Sequence, residues 1–262
     1  MTFLSSIKLG NETKKVIDLN VSTLSYDEVL DSIFDLASQR FPSYVCFANA
    51  HMAVEARWNK NIADSVNNAT IVTSDGMSVV MALKYLHRVK QDRTAGMDMI
   101  YDLVEGAERN NLSIFLFGSE KYIVDGFISK ATKECPKLKI VGAIAPPFEV
   151  FSEAENNKFV EAINESGANI VFVSLGCPKQ ERWMAENSSK INATLLGLGG
   201  AFPLYANKTK RAPVFMQKNG FEWAYRLWQE PKRLWKRYLV TNTLFIFYFL
   251  KQFFGGKKSK NY

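Results

Sequence analysis

Residues capable of chemistry gather just after short apolar runs in this chain. Asp75 follows TIVT, Asn49 and His51 follow SYVCFA, Gly118 and Ser119 close SIFLFG, and Cys177-Pro178-Lys179-Gln180-Glu181 follows NIVFVSLG. Another group, Arg93-Thr94-Ala95-Gly96-Met97-Asp98, stands in a connection ahead of a helix. On a strand-end loop, Asp75 has the type and place of a general base that takes a proton from a substrate hydroxyl. Asp is also a preferred helix N-cap, and with GMSVVMALKYL behind it the plainer role is favoured on residue chemistry alone. Asn49 and His51 could touch a ligand, but a loop amide and a packed imidazole account for them as well. Ser119 reads as an N-cap, compatible with function because a helix N-terminus presents free N–H groups to a phosphate. Pro178 suits the first helical position, with Gln180 and Glu181 in the first turn. A helix start accounts for that Pro and Glu but gives no reason for Gln180. Cys177 has no accompanying His signature and reads as a small buried residue, not a nucleophile.

Several chemistries find no support. In GLGGAF, Phe202 occupies the last glycine position of a GxGxxG, so a dinucleotide fingerprint is unsupported. No GxxxxGK[ST], HExxH or Asp-x-Asp pair occurs, and two histidines alone build no metal cluster. Neither a metal nor a cofactor is expected. The three cysteines are far apart without a CxxC, which points to a reducing compartment rather than a disulfide framework. The opening MTFLSSIKLGNETKKV has no apolar core or small-residue cleavage site and reads as no secretory signal.

The elements that must position these residues follow from periodicity. Apolar runs at Ser43–Ala48, Thr70–Thr73, Ser113–Gly118, Leu138–Ala143, Asn169–Gly176 and Ala193–Gly200 have the near-continuous character of strands buried on both faces of a parallel sheet. Ser25 with Glu28, and Ser152 with Glu155, spell capping boxes that open helices. In the first of these, Val29, Ile33, Leu36 and Ala37 recur at helical spacing. Strand and helix in alternation predict an α/β fold: a Rossmann-like, mostly parallel sheet with helices on both faces. Ligands of such sheets bind beyond the carboxyl ends of the strands, where the residues above lie.

The charge is uneven. The net charge is +7, yet from Lys208 onward the only acids are Glu222 and Glu230. The chain therefore divides into an α/β body, 1–207, and a basic C-terminal appendage, 208–262, whose blocky charge reads as an interaction segment. Its longest uncharged apolar run, Leu239–Leu250, would cover roughly 18 Å as a helix, at about 1.5 Å per residue. Spanning a bilayer needs about 20 apolar residues, so the expectation is a helix lying in the interface. Trp235 would sit at headgroup level, with Lys257, Lys258 and Lys260 drawn to anionic lipid. If the helical phase survives Pro231, Arg226, Arg233 and Arg237 share one face, beside an apolar stripe of Trp223, Leu227, Leu234 and Tyr238. Nucleic-acid binding by this tail is disfavoured, because Phe, Leu and Ile carry no groups that read base edges.

The segments TSDGMSVV, RTAGMD, FLFGS, VSLGCPKQE, LGLGGAF, KRAP and EWAYRL…EPKRLWKRY, in this order, resemble the WecG/TagA/CpsF family of bacterial glycosyltransferases from about Val16 to Tyr238. The resemblance implies inverting, metal-independent transfer of N-acetylmannosamine, its uronic acid or a related hexose. The sugar would pass from a UDP-sugar to a polyprenyl-diphosphate-linked sugar at the cytoplasmic face of the plasma membrane. It implies Asp75 as the base with Asn49 beside it, and Arg93 and Gln180 near the sugar and its diphosphate. Gly118, Ser119, Gly199 and Gly200 would be further substrate contacts, and Phe148 would stack on the nucleobase. Arg226, Arg233 and Arg237 would hold lipid diphosphate. Two positions depart from the family pattern: Pro203 follows GGAF where members often carry Asp, and Pro147-Phe148 stands in place of a GYF-like segment. Those departures leave open a non-catalytic peripheral membrane protein that senses a nucleotide sugar; self-association is open as well.

Overall fold

A computed structural model describes residues 12–147 and 151–258 of the chain. Phe148, Lys260 and the leader reading of residues 1–11 fall outside the described residues, as do the side chains of Lys257 and Lys258. Two sheets are present. A two-stranded hairpin pairs β1 (Thr13–Val16) with β2 (Leu19–Ser22) antiparallel. The main sheet has six strands: β3 (Ser43–Ala48), β4 (Ile71–Ser74), β5 (Ser113–Gly118), β6 (Lys139–Ile144), β7 (Ile170–Ser174) and β8 (Thr194–Gly197). Every pairing in it is parallel and the order is β4-β3-β8-β7-β5-β6. Each of the six apolar runs became a strand of this sheet.

Alternation along the strands divides the core between the two faces. Tyr44, Cys46, Phe115, Phe117, Val171, Val173 and Leu195 point to one side. There they meet α2 (Ala50–Trp58), α3 (Lys60–Asn67), α4 (Met77–His87), α7 (Glu153–Glu165) and α8 (Lys179–Asn187). Val45, Phe47, Ile114, Leu116, Ile170, Phe172 and Leu196 point to the other. That face is covered by α1 (Tyr26–Ser38), α5 (Gly96–Arg109), α6 (Lys121–Glu134) and the short α9 (Phe202–Tyr205). Strand β6 departs from the expectation of burial on both faces. Its residues alternate between exposed and half-buried, whereas β4 at the opposite edge is buried throughout. Both capping boxes form as the sequence predicts, and Val29, Ile33, Leu36 and Ala37 are buried.

The last segment folds as α10 (Val214–Lys218), α11 (Glu222–Gln229) and α12 (Pro231–Lys258). Glu230 leaves helical geometry at φ −131°, so the phase does not run unbroken through Pro231, which instead opens α12. The long helix is anchored to the body. Leu234, Thr241 and Phe245 are buried, and Phe245 joins the core over α2. Gln252 accepts from Ile17 N at 2.7 Å and donates to Lys15 O at 2.9 Å, tying α12 to the hairpin. Among the described residues no helix is long and apolar enough to cross a membrane.

Candidate active site

Beyond the carboxyl ends of β3, β4, β7 and β8 the body opens a cleft of about 730 Å³, walled on its far side by α11 and α12. Asp75 follows β4 directly, its backbone N–H held by Ala48 O at 2.9 Å. It is not the cap of the helix behind it: Gly76 is the N-cap of α4 and makes no side-chain cap bond. The carboxylate crosses the cleft floor instead, and Oδ1 accepts from Gly96 N at 3.0 Å, the first amide of α5. Oδ2 faces Asn49 Nδ2 at 3.5 Å. Asn49 is held in place because its own Oδ1 caps α2, accepting from Met52 N at 3.2 Å. Asn49 is thus a cleft amide and also a helix cap, a role that was not read from the sequence.

Burial pushes the Asp75 carboxyl up to about 6, against the pull of the Gly96 N–H, the Arg93 guanidinium and the Asn49 amide; the Glu222 carboxylate adds to the rise. A carboxylate near this value is ionised at neutral pH yet basic enough to accept a proton. Arg93 lines the cleft and donates to Asp98 at 2.9 Å and to Glu222 at 2.5 Å. His51 is also in the wall. Burial and the neighbouring Arg237 charge push it down to about 4, so it is the packed neutral imidazole that the sequence allowed.

The VSLGCPKQE segment reaches the cleft through Gln180. Pro178 is the N-cap of α8, one residue earlier than the first helical position expected from sequence. Gln180 is buried and donates to Glu181 Oε1 at 2.7 Å and to Gly197 O at 3.1 Å. Its Oε1 has no partner and lies where Gly199 comes closest: a Cβ on Gly199 would sit 2.6 Å from that oxygen. Burial together with Glu181 pushes the Cys177 thiol up, away from thiolate chemistry.

The three appendage arginines line the same cleft even though their helical phase is broken. They differ in company. Arg226 lies over Gly200, whose Cβ would fall 3.4 Å from its Nη2, and Nη1 faces Met97 Sδ at 3.8 Å. Arg233 is paired with Glu230. Arg237 stacks on Tyr238 at 5.3 Å and keeps a buried Nε with no hydrogen-bond partner. Gly199 and Gly200 are cleft residues.

Other sequence candidates lie elsewhere. Gly118 and Ser119 turn the chain after β5 and are not among the cleft-lining residues. Gly118 has φ +114° and a Cβ there would meet Ser174 O at 2.4 Å, so the turn admits only glycine. Ser119 is not the expected N-cap: it sits at φ +65°, and Glu120 is the N-cap of α6 with no side-chain cap bond. Trp235 projects away from the cleft, 55% exposed on α12. Glu222, Arg211, Thr209 and Lys210 were not singled out by sequence for this site. Glu222, Thr209 and Lys210 line the cleft, and Arg211 pairs with Glu222 behind it. For Glu222 the one signal was its rarity as an acid in a basic tail. Among the described residues no three His, Cys, Asp or Glu side chains cluster as metal ligands.

Comparison with known proteins agrees with this architecture. Three curated relatives carry the name N-acetylglucosaminyldiphosphoundecaprenol N-acetyl-beta-D-mannosaminyltransferase. The protein of Bacillus subtilis (strain 168) is 29% identical over 225 residues, 84% of either chain. That of Bacillus spizizenii is 29% identical over 75% of either chain, and that of Staphylococcus aureus (strain MW2) 25% identical over 87% of this chain and 84% of its own. The model of the Glycosyl transferase WecG/TagA/CpsF family matches residues 14–259, nearly the whole of what the structure describes. With the strand-end carboxylate, the cleft and the basic helices all inside that match, the chain belongs to the WecG/TagA/CpsF family of glycosyltransferases.

Proposed function

We propose that this glycosyltransferase moves N-acetylmannosamine from a UDP-sugar onto N-acetylglucosamine carried by undecaprenyl diphosphate, with inversion at the transferred carbon. The acceptor and the β-linked product are those in the relatives' names. The observation that carries the reading is Asp75: a half-buried carboxylate, raised to about 6, in a cleft that also holds four arginines.

In this reading Asp75 takes the proton of the acceptor hydroxyl as that oxygen bonds to the anomeric carbon. The bond from that carbon to the UDP phosphate oxygen breaks in the same displacement. Help of this kind is typically worth about 10²–10⁴ in rate. Negative charge gathers on the departing diphosphate. In this reading Arg93, Arg226 and the glycine loop at Gly199 and Gly200, all lining the cleft, receive it, since fixed donors cost no reorganisation at the moment of reaction. Arg237, with an unspent Nε, suits the acceptor's diphosphate. The exposed Trp235, Leu239, Ile246, Phe247 and Leu250 on α12 support seating on the membrane surface that holds the lipid-linked acceptor.

The test uses full-length protein in liposomes with a panel of UDP-sugars and a polyprenyl-diphosphate-linked N-acetylglucosamine. Mass spectrometry of the lipid should show one added N-acetylhexosamine, absent for Asp75→Asn. Turnover of a different donor alone would overturn the sugar assignment. UDP-sugar binding without transfer from any donor would overturn the catalytic reading in favour of a sensor.

A further inference from the structure

We propose that Glu222 is a positioning residue for the transfer, holding the Arg93 guanidinium toward the diphosphate and away from Asp75 when the C-terminal helices are docked. The proposal rests on the transferase reading above. Arg93 is bracketed from two directions. Nη2 donates to Asp98, five residues along the same segment, and Nη1 donates to Glu222, 129 residues away on α11. The first contact is local. The second exists only when α11 lies against the body.

Arg211 completes the cluster. It pairs with Asp98, approaches Glu222 Oε1 with Nε at 3.7 Å, and donates to Met97 O at 3.1 Å. Two guanidinium groups and two carboxylates therefore balance at the seam between body and appendage. The side chains of Arg93 and Glu222 are 14% and 12% exposed, so solvent screens their pairing little.

The consequence for Asp75 is geometric. Asp75 lies within the field of both groups but is paired with neither; the Arg93 charge favours its ionisation and the Glu222 charge opposes it. Removing Glu222 leaves Nη1 without its partner and free to turn toward Asp75, whose carboxylate lines the same cleft. An Arg93–Asp75 ion pair would weaken the base and withdraw a donor from the leaving diphosphate together. Ground-state binding responds differently: losing an anion beside a diphosphate site does not disfavour the donor. A positioning role therefore predicts loss in kcat without a matching rise in KM.

The experiment is a double-mutant cycle on full-length protein, with kcat and donor KM measured on the lipid-linked acceptor and melting followed for each variant. Glu222→Gln should lower kcat by roughly ten- to a hundredfold. Donor KM should stay within about threefold, and in an Arg93→Lys background the same change should cost under about threefold more. Equal losses in both backgrounds would overturn the proposal, because Glu222 would not act through Arg93. A kcat loss restored by cooling, in step with a lowered melting temperature, would overturn it in favour of simple docking stability. Wild-type protein that turns over no donor would instead overturn the transferase reading, and this inference with it.

Discussion

At the scale of single residues, the proposed mechanism depends on one half-buried carboxylate. The Asp75 carboxyl, raised from 3.8 to about 6 by burial, carries a sign for both activity and stability. With Asp75 as the proposed base, activity needs the ionised form, so kcat/KM should rise with pH through about 6 and level off above it. An acid limb near 4 would mean that another group governs the rate. Stability runs the other way: what neutral Asp75 contributes is fully present below about 4 and lost as pH rises through about 6. Asp75→Asn should therefore lose about 10²–10⁴ in rate while its melting temperature at pH 7.5 holds or rises. Gly199 gives a second prediction. A methyl there would sit 2.6 Å from Gln180 Oε1 and push a buried amide from its bonds to Glu181 and Gly197. Gly199→Ala should cut kcat at least tenfold with little loss of fold, checked by steady-state kinetics beside circular dichroism.

At the scale of elements, α12 has a face buried against the body and an exposed apolar face that the proposal seats on the membrane. Phe245 is 4% exposed and joins the main core, so Phe245→Ala should destabilise the protein by about 3–5 kcal/mol in denaturant unfolding. Trp235 and Phe247 are 55% and 58% exposed on the same helix. Replacing both with Ser should leave unfolding nearly unchanged and weaken binding to anionic vesicles by tenfold or more. That follows if each ring buries even part of the roughly 1.5–3 kcal/mol available to a large apolar side chain. Unchanged vesicle binding would refute the interfacial role of that face. The break at Glu230 also matters here. It splits the arginines between two helices, so α11 presents Arg226 to the glycine loop while α12 presents Arg237 to the wall at His51.

At the scale of the whole molecule, a body carrying the sheet and a basic C-terminal segment close on each other around the cleft. Since the positive charge is concentrated after Lys208, vesicle binding should fall steeply between low and moderate salt, each basic side chain near the surface being worth about 1 kcal/mol. Co-sedimentation across a salt series would check this, and salt-independent binding would leave only the apolar face of α12 to account for attachment.

The sequence by itself determined the sheet and its helices, because buried parallel strands need continuous apolar runs and capping boxes need fixed spacing. All six runs and both boxes could be read from such local patterns. The motif order was enough to suggest the family. Other features needed the tertiary structure. The β1–β2 hairpin turns at Ile17, held at φ +58°, a conformation a β-branched residue resists and turn rules do not predict; Gln252 binds it from the far end of the chain. Asp75 reads locally as a cap for the helix behind it, but its bond goes to α5, since only packing brings the Gly96 amide across the cleft. Glu222 and Arg93 are far apart in sequence, and no periodicity links them. Their meeting, and the field it sets at Asp75, was decided by how the last helices dock on the body, because electrostatic coupling depends on distance in space and on the water excluded between the groups.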